Sequence, residues 1–216
     1  MSHASDHANH LLAQGQPEAA IGAAELAAGN GDADALALLG TWHLIGHPLP
    51  RDLAKARAIL GQAGRAGHEW AALTEIAMTG NGTGGPADWG AALALLRKAA
   101  PRFPAAADQL ALIEAMELDP EGYPRTLPQG ELLTEAPQVR LHRRLFTPAE
   151  CAHIALSAQD LLEPSQVADP ATGRMIAHPI RSSDAAVLGP TRESLPIQAL
   201  QRRIAAFSGY PVGNGE

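Results

Sequence analysis

Apolar residues return every three to four positions through most of residues 16–118, the spacing of amphipathic helices. Gly-rich segments at 45–50 and 80–86 interrupt this pattern and predict turns. Asp52 and Asp88 follow these turns, where a side-chain oxygen can cap the first free N–H groups of the next helix. The first part of the chain is therefore predicted to consist of helices paired through short turns, with a further helix at 104–118.

The helical pattern repeats itself at a spacing of 36 residues. Seven identical or similar pairs fall in register: Gly31 with Gly67, Ala35 with Ala71, Gly46 with Gly82, Asp52 with Asp88, Ala56 with Ala92, Leu60 with Leu96 and Ala63 with Ala99. The second copy departs from the first where Glu75 and Ile76 replace Leu39 and Gly40. Such repeats stack on their neighbours, so a short superhelix with a continuous core is predicted.

A different pattern begins at Gln138. Residues 138–145 alternate as in a short strand, and Thr147-Pro-Ala-Glu150 is typical of a helix start that continues to about residue 162. Residues 165–168 and 174–181 are predicted to be extended on either side of a turn, since Pro170 and Gly173 favour one. A last helix is predicted from Ser194 to Gly209.

The charge balance also changes along the chain. Residues 1–138 carry eight Lys and Arg against sixteen Asp and Glu, whereas residues 139–216 carry eight against seven. The Pro- and Gly-rich stretch 119–137 cannot continue a helix. We therefore predict a helical array at 16–118, a linker at 119–137 and a second domain at 138–216.

Composition excludes several classes of protein. The acidic first part is a poor partner for nucleic acid. Cys151 is the single cysteine, and no stretch of the sequence has the length and apolarity of a signal peptide or a membrane span. These features predict a cytoplasmic protein without membrane or nucleic-acid partners.

The first part resembles Sel1-like repeats, which are related to tetratricopeptide repeats. The resemblance depends on the Ala-x-x-x-Leu-Gly pattern ending at Gly40, the turn at Gly46 and the Asp-Leu-Ala-Lys-Ala start of the next helix at Asp52. It implies that the array binds a protein or peptide partner, or acts as a spacer.

The second part resembles the N-terminal region of prolyl 4-hydroxylase-like 2-oxoglutarate/Fe(II) dioxygenases. Six short motifs occur in the order and spacing of that family: 146–151, 164–167, 169–173, 180–183, 197–204 and 209–216. The expected fold class is thus mainly α, a helical-repeat superhelix followed by an α+β segment that opens a double-stranded β-helix. The resemblance implies an oxidoreductase of bacterial type that hydroxylates a peptidyl prolyl or similar side chain with Fe(II), 2-oxoglutarate and ascorbate.

The same resemblance implies the substrate-binding residues. Arg181 and Ser183 match the family's Arg-x-Ser pair, Glu216 matches the acidic end of its Asn-Gly-Glu segment, and loop 167–180 matches a hairpin that closes over substrate. A guanidinium can hold substrate carbonyl or carboxylate oxygens in fixed geometry. Without the motif, the simpler interpretation of Arg181 is a surface pair with Asp184.

The family's iron ligands, a His-x-Asp pair and a distant His, have no counterpart among the nine histidines of this chain. We expect this motif to lie beyond Glu216, so that this chain alone contains no catalytic or metal-binding residues, binds no cofactor and is inactive. The alternative is a non-enzymatic adaptor with a degenerate oxygenase remnant. A downstream reading frame that encodes His-x-Asp and a later His would favour the enzyme.

Three further features have a simple structural interpretation. His3, His7 and His10 have helical spacing but lie at a terminus, for which fraying is the favoured prediction. Cys151 is predicted to be buried, and the Gly-rich segment 80–85 is predicted to be a repeat turn rather than a phosphate loop. If the sheet of the second domain is missing, Leu156, Ile197, Leu200 and Ile204 should lose cover, leaving residues 139–216 loosely held.

Overall fold

The computed structural model describes residues 2–127, 129–177 and 183–214. The chain is mainly helical, with a few short strands in its C-terminal part. The helices are α1 (His3–Ala13), α2 (Pro17–Gly29), α3 (Ala33–Ile45), α4 (Leu53–Ala66), α5 (Glu69–Asn81), α6 (Trp89–Ala99), α7 (Pro104–Glu114), α8 (Pro148–Ala158) and α9 (Leu195–Ser208). The strands are β1 (Glu131–Glu135), β2 (Gln138–Leu141), β3 (Glu163–Pro164), β4 (Gln166–Ala168), β5 (Met175–Ala177) and β6 (Asp184–Ala185). Among these helices none has the length and apolarity to cross a bilayer.

The described residues form two compact units. The first contains residues 2–127 and 193–214, and the second lies within residues 129–192. In this division α9 belongs with the helices of the first part, and the domain boundary at residue 138 stays a prediction. The helical array is thus completed by a helix from the far end of the chain.

The helix boundaries of the array follow from local capping. The carboxylates of Asp52 and Asp88 accept hydrogen bonds from the backbone N–H groups of Lys55 (2.9 Å) and Ala91 (2.8 Å), which confirms both predicted caps. Gly46 and Gly82 end α3 and α5 in the left-handed conformation, each with φ of 82°. A residue with a Cβ is disfavoured in that conformation, so glycine at these matched turns has a clear cause.

Each helix from α1 to α6 packs against the next along the chain. Four of the seven pairs at the 36-residue spacing are buried in both copies: Ala35 and Ala71, Ala56 and Ala92, Leu60 and Leu96, Ala63 and Ala99. The small side chains of the alanines among them let the helix backbones approach closely. At Gly64, a Cβ would lie only 2.8 Å from Cα of Ala72. The core of the array therefore depends on small residues at the helix crossings.

The first helix corrects the prediction of a frayed terminus. Ser2 caps α1 by accepting a hydrogen bond from the N–H of Ser5 (3.3 Å), and its hydroxyl donates to Asp32 (3.0 Å). Ala8 of α1 is fully buried in a cluster with Ala20, Ala24, Leu39 and Trp42. Ser5 is also buried, and Leu11 and Leu12 pack against the same cluster, so packing holds this segment in place despite its sparse apolar pattern.

The last helix corrects the expectation that α9 loses cover. Ile197 and Leu200 are buried, and α9 packs on α5 and α7. Gln198 donates hydrogen bonds from Nε2 to the carbonyl oxygens of Ala77 (3.0 Å) and Glu193 (2.7 Å). Ile204 of α9 is exposed, as is Leu156 of α8. The helices of the array, rather than a sheet, supply the apolar surface that covers α9.

The second unit contains α8 and three antiparallel strand pairs, β1–β2, β3–β6 and β4–β5. Strand β1 lies within the predicted linker 119–137, which the Pro and Gly content of that stretch did not indicate. The predicted strand at 138–145 is confirmed over Gln138–Leu141. A double-stranded β-helix stays a prediction.

Candidate functional site

The candidate site begins where the chain enters α8. Thr147 and Glu150 form the predicted capping box: the N–H of Thr147 donates to the Glu150 carboxylate (2.8 Å), and the N–H of Glu150 donates to the Thr147 hydroxyl (3.3 Å). Glu150 is almost completely buried, so this box fixes the direction in which the chain enters α8. The two residues of this cap are only three positions apart, so the cap could be predicted from the sequence.

Ser165 and Ser183 lie side by side beyond the β3–β6 pair. The N–H of Ser165 donates to the carbonyl oxygen of Ser183 (2.9 Å), and the Ser183 hydroxyl donates to the Ser165 hydroxyl (3.2 Å). Ser165 is buried, whereas Ser183 is exposed. An exposed hydroxyl held in place by a buried one can offer a directional hydrogen bond to a ligand.

The predicted hairpin over substrate is present in its described part. Strands β4 and β5 pair with Val167 opposite Ile176, and the residues after Ala177 up to residue 180 lie outside the described ranges. Asp169 organises the turn: its carboxylate accepts from the N–H of Ala171 (3.0 Å) and the hydroxyl of Thr172 (2.6 Å). The Thr172 hydroxyl, with the Ala171 N–H, holds the pKa of Asp169 below its usual range.

An ion pair joins the two ends of the segment from residue 160 to residue 192. Arg192 donates to Asp160 across 2.6 Å, which joins the short turn after α8 to the loop after β6. This hydrogen bond from the guanidinium lowers the pKa of the Asp160 carboxyl. The two residues are 32 positions apart and belong to no recognisable motif, so sequence reasoning missed the pair.

Of the three predicted substrate-binding residues, Ser183 lies within the described residues. Arg181 and Glu216 lie outside them, and so does any pairing of Arg181 with Asp184. Ser183 is brought together with Ser165, which the sequence placed in a neighbouring motif without a role. The role of all three residues in substrate binding stays a prediction.

A stretch of this chain is similar to a known prolyl 4-hydroxylase. Over 87 residues it is 33% identical to Prolyl 4-hydroxylase 1 of Arabidopsis thaliana. The match covers 40% of this chain and 31% of that protein, so the chain spans less than a third of the relative's length. No family model and no solved structure matches the chain. The similarity supports a distant, partial relationship to the dioxygenases, and the Sel1-like resemblance stays a prediction.

The described residues do not provide an iron site. No three His, Cys, Asp or Glu side chains come together within residues 2–127, 129–177 and 183–214 in a way that would hold a metal ion. His3, His7 and His10 lie on α1, and His10 instead contacts the side chain of Gln14. The residues described thus do not fit an Fe(II) ion of the kind that prolyl 4-hydroxylases use.

Cys151 corrects a further prediction. It lies in the first turn of α8 and is exposed rather than buried. The apolar pattern of α8 does not specify which of its faces is covered, and that choice depends on tertiary packing. The Gly-rich segment after α5 is a turn that ends a helix, as predicted.

Proposed function

We propose that residues 138–216 correspond to the opening part of a prolyl 4-hydroxylase-like 2-oxoglutarate/Fe(II) dioxygenase domain that hydroxylates a peptidyl substrate. The observation that carries this proposal is the 33% identity with Prolyl 4-hydroxylase 1 over 87 residues. Fe(II), 2-oxoglutarate and ascorbate are the cofactors that such an enzyme would use. A cytoplasmic location is part of the same proposal.

The geometry around Ser183 supports a role in substrate binding. Its exposed hydroxyl donates a hydrogen bond to the hydroxyl of Ser165, the residue immediately before strand β4 of the hairpin. A peptide bound to this hydroxyl would therefore lie beside the start of the hairpin. Arg181, two positions earlier in the chain, would add a charged donor for a peptide carbonyl group.

We propose that the helical array, as a Sel1-like superhelix, recruits or spaces the substrate. Helix α9 belongs to the sequence region that resembles the oxygenase, yet Ile197 and Leu200 are buried against the array. A helix that packs in this way ties the fold of the array to the oxygenase-like sequence. The array and the oxygenase-like sequence would then share a helix.

Peptide binding tests the proposal without requiring turnover. A fluorescein-labelled ten-residue poly-L-proline peptide is titrated with the chain, and polarisation is measured. We expect binding that weakens in Arg181→Ala and Ser183→Ala. Ser157→Ala is the matched control, because its hydroxyl donates within α8 to the carbonyl of His153 (2.8 Å). Equal binding by all four proteins would contradict the assignment of these residues.

A second measurement concerns the cofactors. With Fe(II), 2-oxoglutarate, ascorbate and the same peptide, we expect this chain alone to release no more succinate than a sample without protein. Succinate formation above that level would show that the chain holds an iron site outside the described residues. It would disprove the predicted inactivity but strengthen the dioxygenase assignment.

A further inference from the structure

Glu75 occupies a position that the repeat pattern assigns to a buried apolar residue. At the 36-residue spacing it corresponds to Leu39, which is buried between helices. The Glu75 side chain is 18% exposed and points into the array between α4 and α5. A carboxylate in place of a core leucine is costly unless something nearby compensates for its lost hydration.

The array leaves space around this carboxylate. A Cβ at Gly61 would overlap the carboxylate oxygens of Glu75. Glycine at this position of α4 therefore leaves room for the Glu75 side chain. Beside it lies a cavity of about 60 Å³ with an apolar floor formed by Ala72, Ile76, Ala99 and Phe103. The cavity has the size and chemistry for one small aliphatic side chain.

Positive charge is concentrated around the same carboxylate. Residues 1–138 contain eight Lys and Arg, and four of them surround this site: Arg57, Arg65, Lys98 and Arg102. Nη1 of Arg65 lies 3.7 Å from Oε1 of Glu75. Arg102 stacks over the Phe103 ring at 5.2 Å and donates to the carbonyl of Arg65 (3.3 Å), which holds its guanidinium at the rim.

One carboxylate cannot neutralise four cations, so the site keeps an excess of positive charge within an acidic array. An excess of positive charge around an apolar cavity attracts an anionic group carried on an apolar ligand. A cationic ligand would be repelled by the rim. A small inorganic anion would leave the apolar floor unused.

We propose that this pocket binds a peptide segment in which a small apolar side chain stands next to a carboxylate. The apolar side chain enters the cavity, the carboxylate pairs with Lys98 and the arginines at the rim, and Glu75 accepts a hydrogen bond from a peptide N–H. The proposal rests on the proposed role of the array as the part that recruits a peptide. It is independent of Ser183 and of the oxygenase chemistry.

The carboxylate has two possible sources, the C-terminus of a chain or an acidic side chain. Labelled peptides of sequence Gly-Gly-Gly-Asp-Val distinguish them: one with both carboxylates, one amidated at its C-terminus, and one with Asn in place of Asp. A fourth peptide lacks both carboxylates. We expect the first to bind and the fourth not to bind, and the other two report which carboxylate is used.

Two variants test the pocket itself. Lys98→Gln should weaken binding about tenfold, the loss typical of one charge-assisted hydrogen bond. Lys55→Gln is its matched control, because Lys55 lies exposed in the first turn of α4 and away from the cavity lining. Glu75→Leu should abolish binding, since it restores the residue found at position 39 and fills the cavity. Its circular dichroism spectrum should match that of the parent.

Several outcomes would overturn the proposal. They are equal binding of all four peptides, no loss of binding in Lys98→Gln, or competition by inorganic phosphate as effective as that by the peptide. If Glu75→Leu does not fold, the comparison of peptide binding by Lys98→Gln and by Lys55→Gln tests the proposal instead. Poly-L-proline binding and its dependence on Ser183 are measured separately, so failure here is distinguishable from failure of the proposed function.

Discussion

The guanidinium of Arg202 lies over the indole of Trp89, with Cζ 4.5 Å from the ring centroid. The Tyr123 ring lies on the same cation at 5.8 Å, and burial lowers the pKa of Arg202. Arg202 is on α9 and Trp89 begins α6, so this contact joins residues that are 113 positions apart in the chain. The last helix is thus held by a specific polar and aromatic contact as well as by apolar packing.

Replacing Arg202 by Ala should loosen α9. A partly desolvated cation–π contact contributes about 2 kcal/mol, and its loss should lower the free energy of unfolding by a similar amount. Hydrogen exchange of residues 195–207 should become faster than in the parent, where we expect protection comparable with that of α4. Arg174→Ala, at an exposed position next to strand β5, is the control. Unchanged exchange in 195–207 would show that the aromatic contact does not hold the helix.

The packing of α9 on α5 can be tested with a matched pair of glycines. A Cβ at Gly80 would lie 2.5 Å from Oε1 of Gln198 and 2.8 Å from Cδ2 of Leu195, so Gly80→Ala should push α9 away. We expect a loss of about 1–3 kcal/mol. Gly22→Ala in α2 meets nothing within 4 Å and should stabilise the protein by about 0.5–1 kcal/mol. Urea unfolding of both variants measures the difference, and equal stabilities would contradict the observed approach of the helices.

The parts of the fold that sequence predicts well are those set by local chemistry. Asp52, Asp88 and Thr147 cap helices through residues three positions away, and Gly46 adopts a conformation that glycine favours. A repeated pattern adds weight to each such prediction, since the same cap or turn appears twice. Element boundaries in the array were therefore predictable.

The parts that sequence missed depend on the choice of partner. An apolar stripe shows that α9 is covered, but it does not show whether a sheet or α5 covers it. The same ambiguity applies to Cys151 on α8 and to α1, in which Ser5 and Ala8 are buried. In the candidate site, Ser183 could be predicted because it belongs to a sequence motif. The Asp160–Arg192 pair could not be predicted, because its two residues come together only in the folded chain.

Core packing at the helix crossings can be tested at Ala63. It is fully buried in a cluster with Ala37, Leu60, Ala71 and Met78, where a larger side chain finds no room. Ala63→Leu should cost about 1–3 kcal/mol of unfolding free energy. Ala58→Leu is the control, because Ala58 is exposed on the same helix. If Ala63→Leu unfolded at the same temperature as the parent protein, the proposed helix register would be wrong.

The carboxylate of Glu75 should make stability depend on pH in a defined direction. Burial raises the pKa of Glu75 above its usual value of 4.5, although Arg65, Arg57 and Lys98 oppose this shift. A raised pKa means that folding disfavours the charged form. The resulting loss of stability is complete above the folded pKa and absent below the unfolded one. Lowering the pH from neutral towards 4.5 should therefore stabilise the parent through this group.

Replacing Glu75 by Gln removes the charge while keeping the shape of the side chain. We expect Glu75→Gln to unfold at a higher temperature than the parent at pH 7, because the neutral amide carries no desolvation penalty for a charge. The difference should shrink towards zero near pH 4, where the parent side chain is protonated as well. Glu18→Gln at an exposed position of α2 controls for the general loss of a negative charge. A difference between parent and Glu75→Gln that stays constant from pH 7 to pH 4, or that grows on acidification, would show that the cations at the rim outweigh burial at this carboxylate.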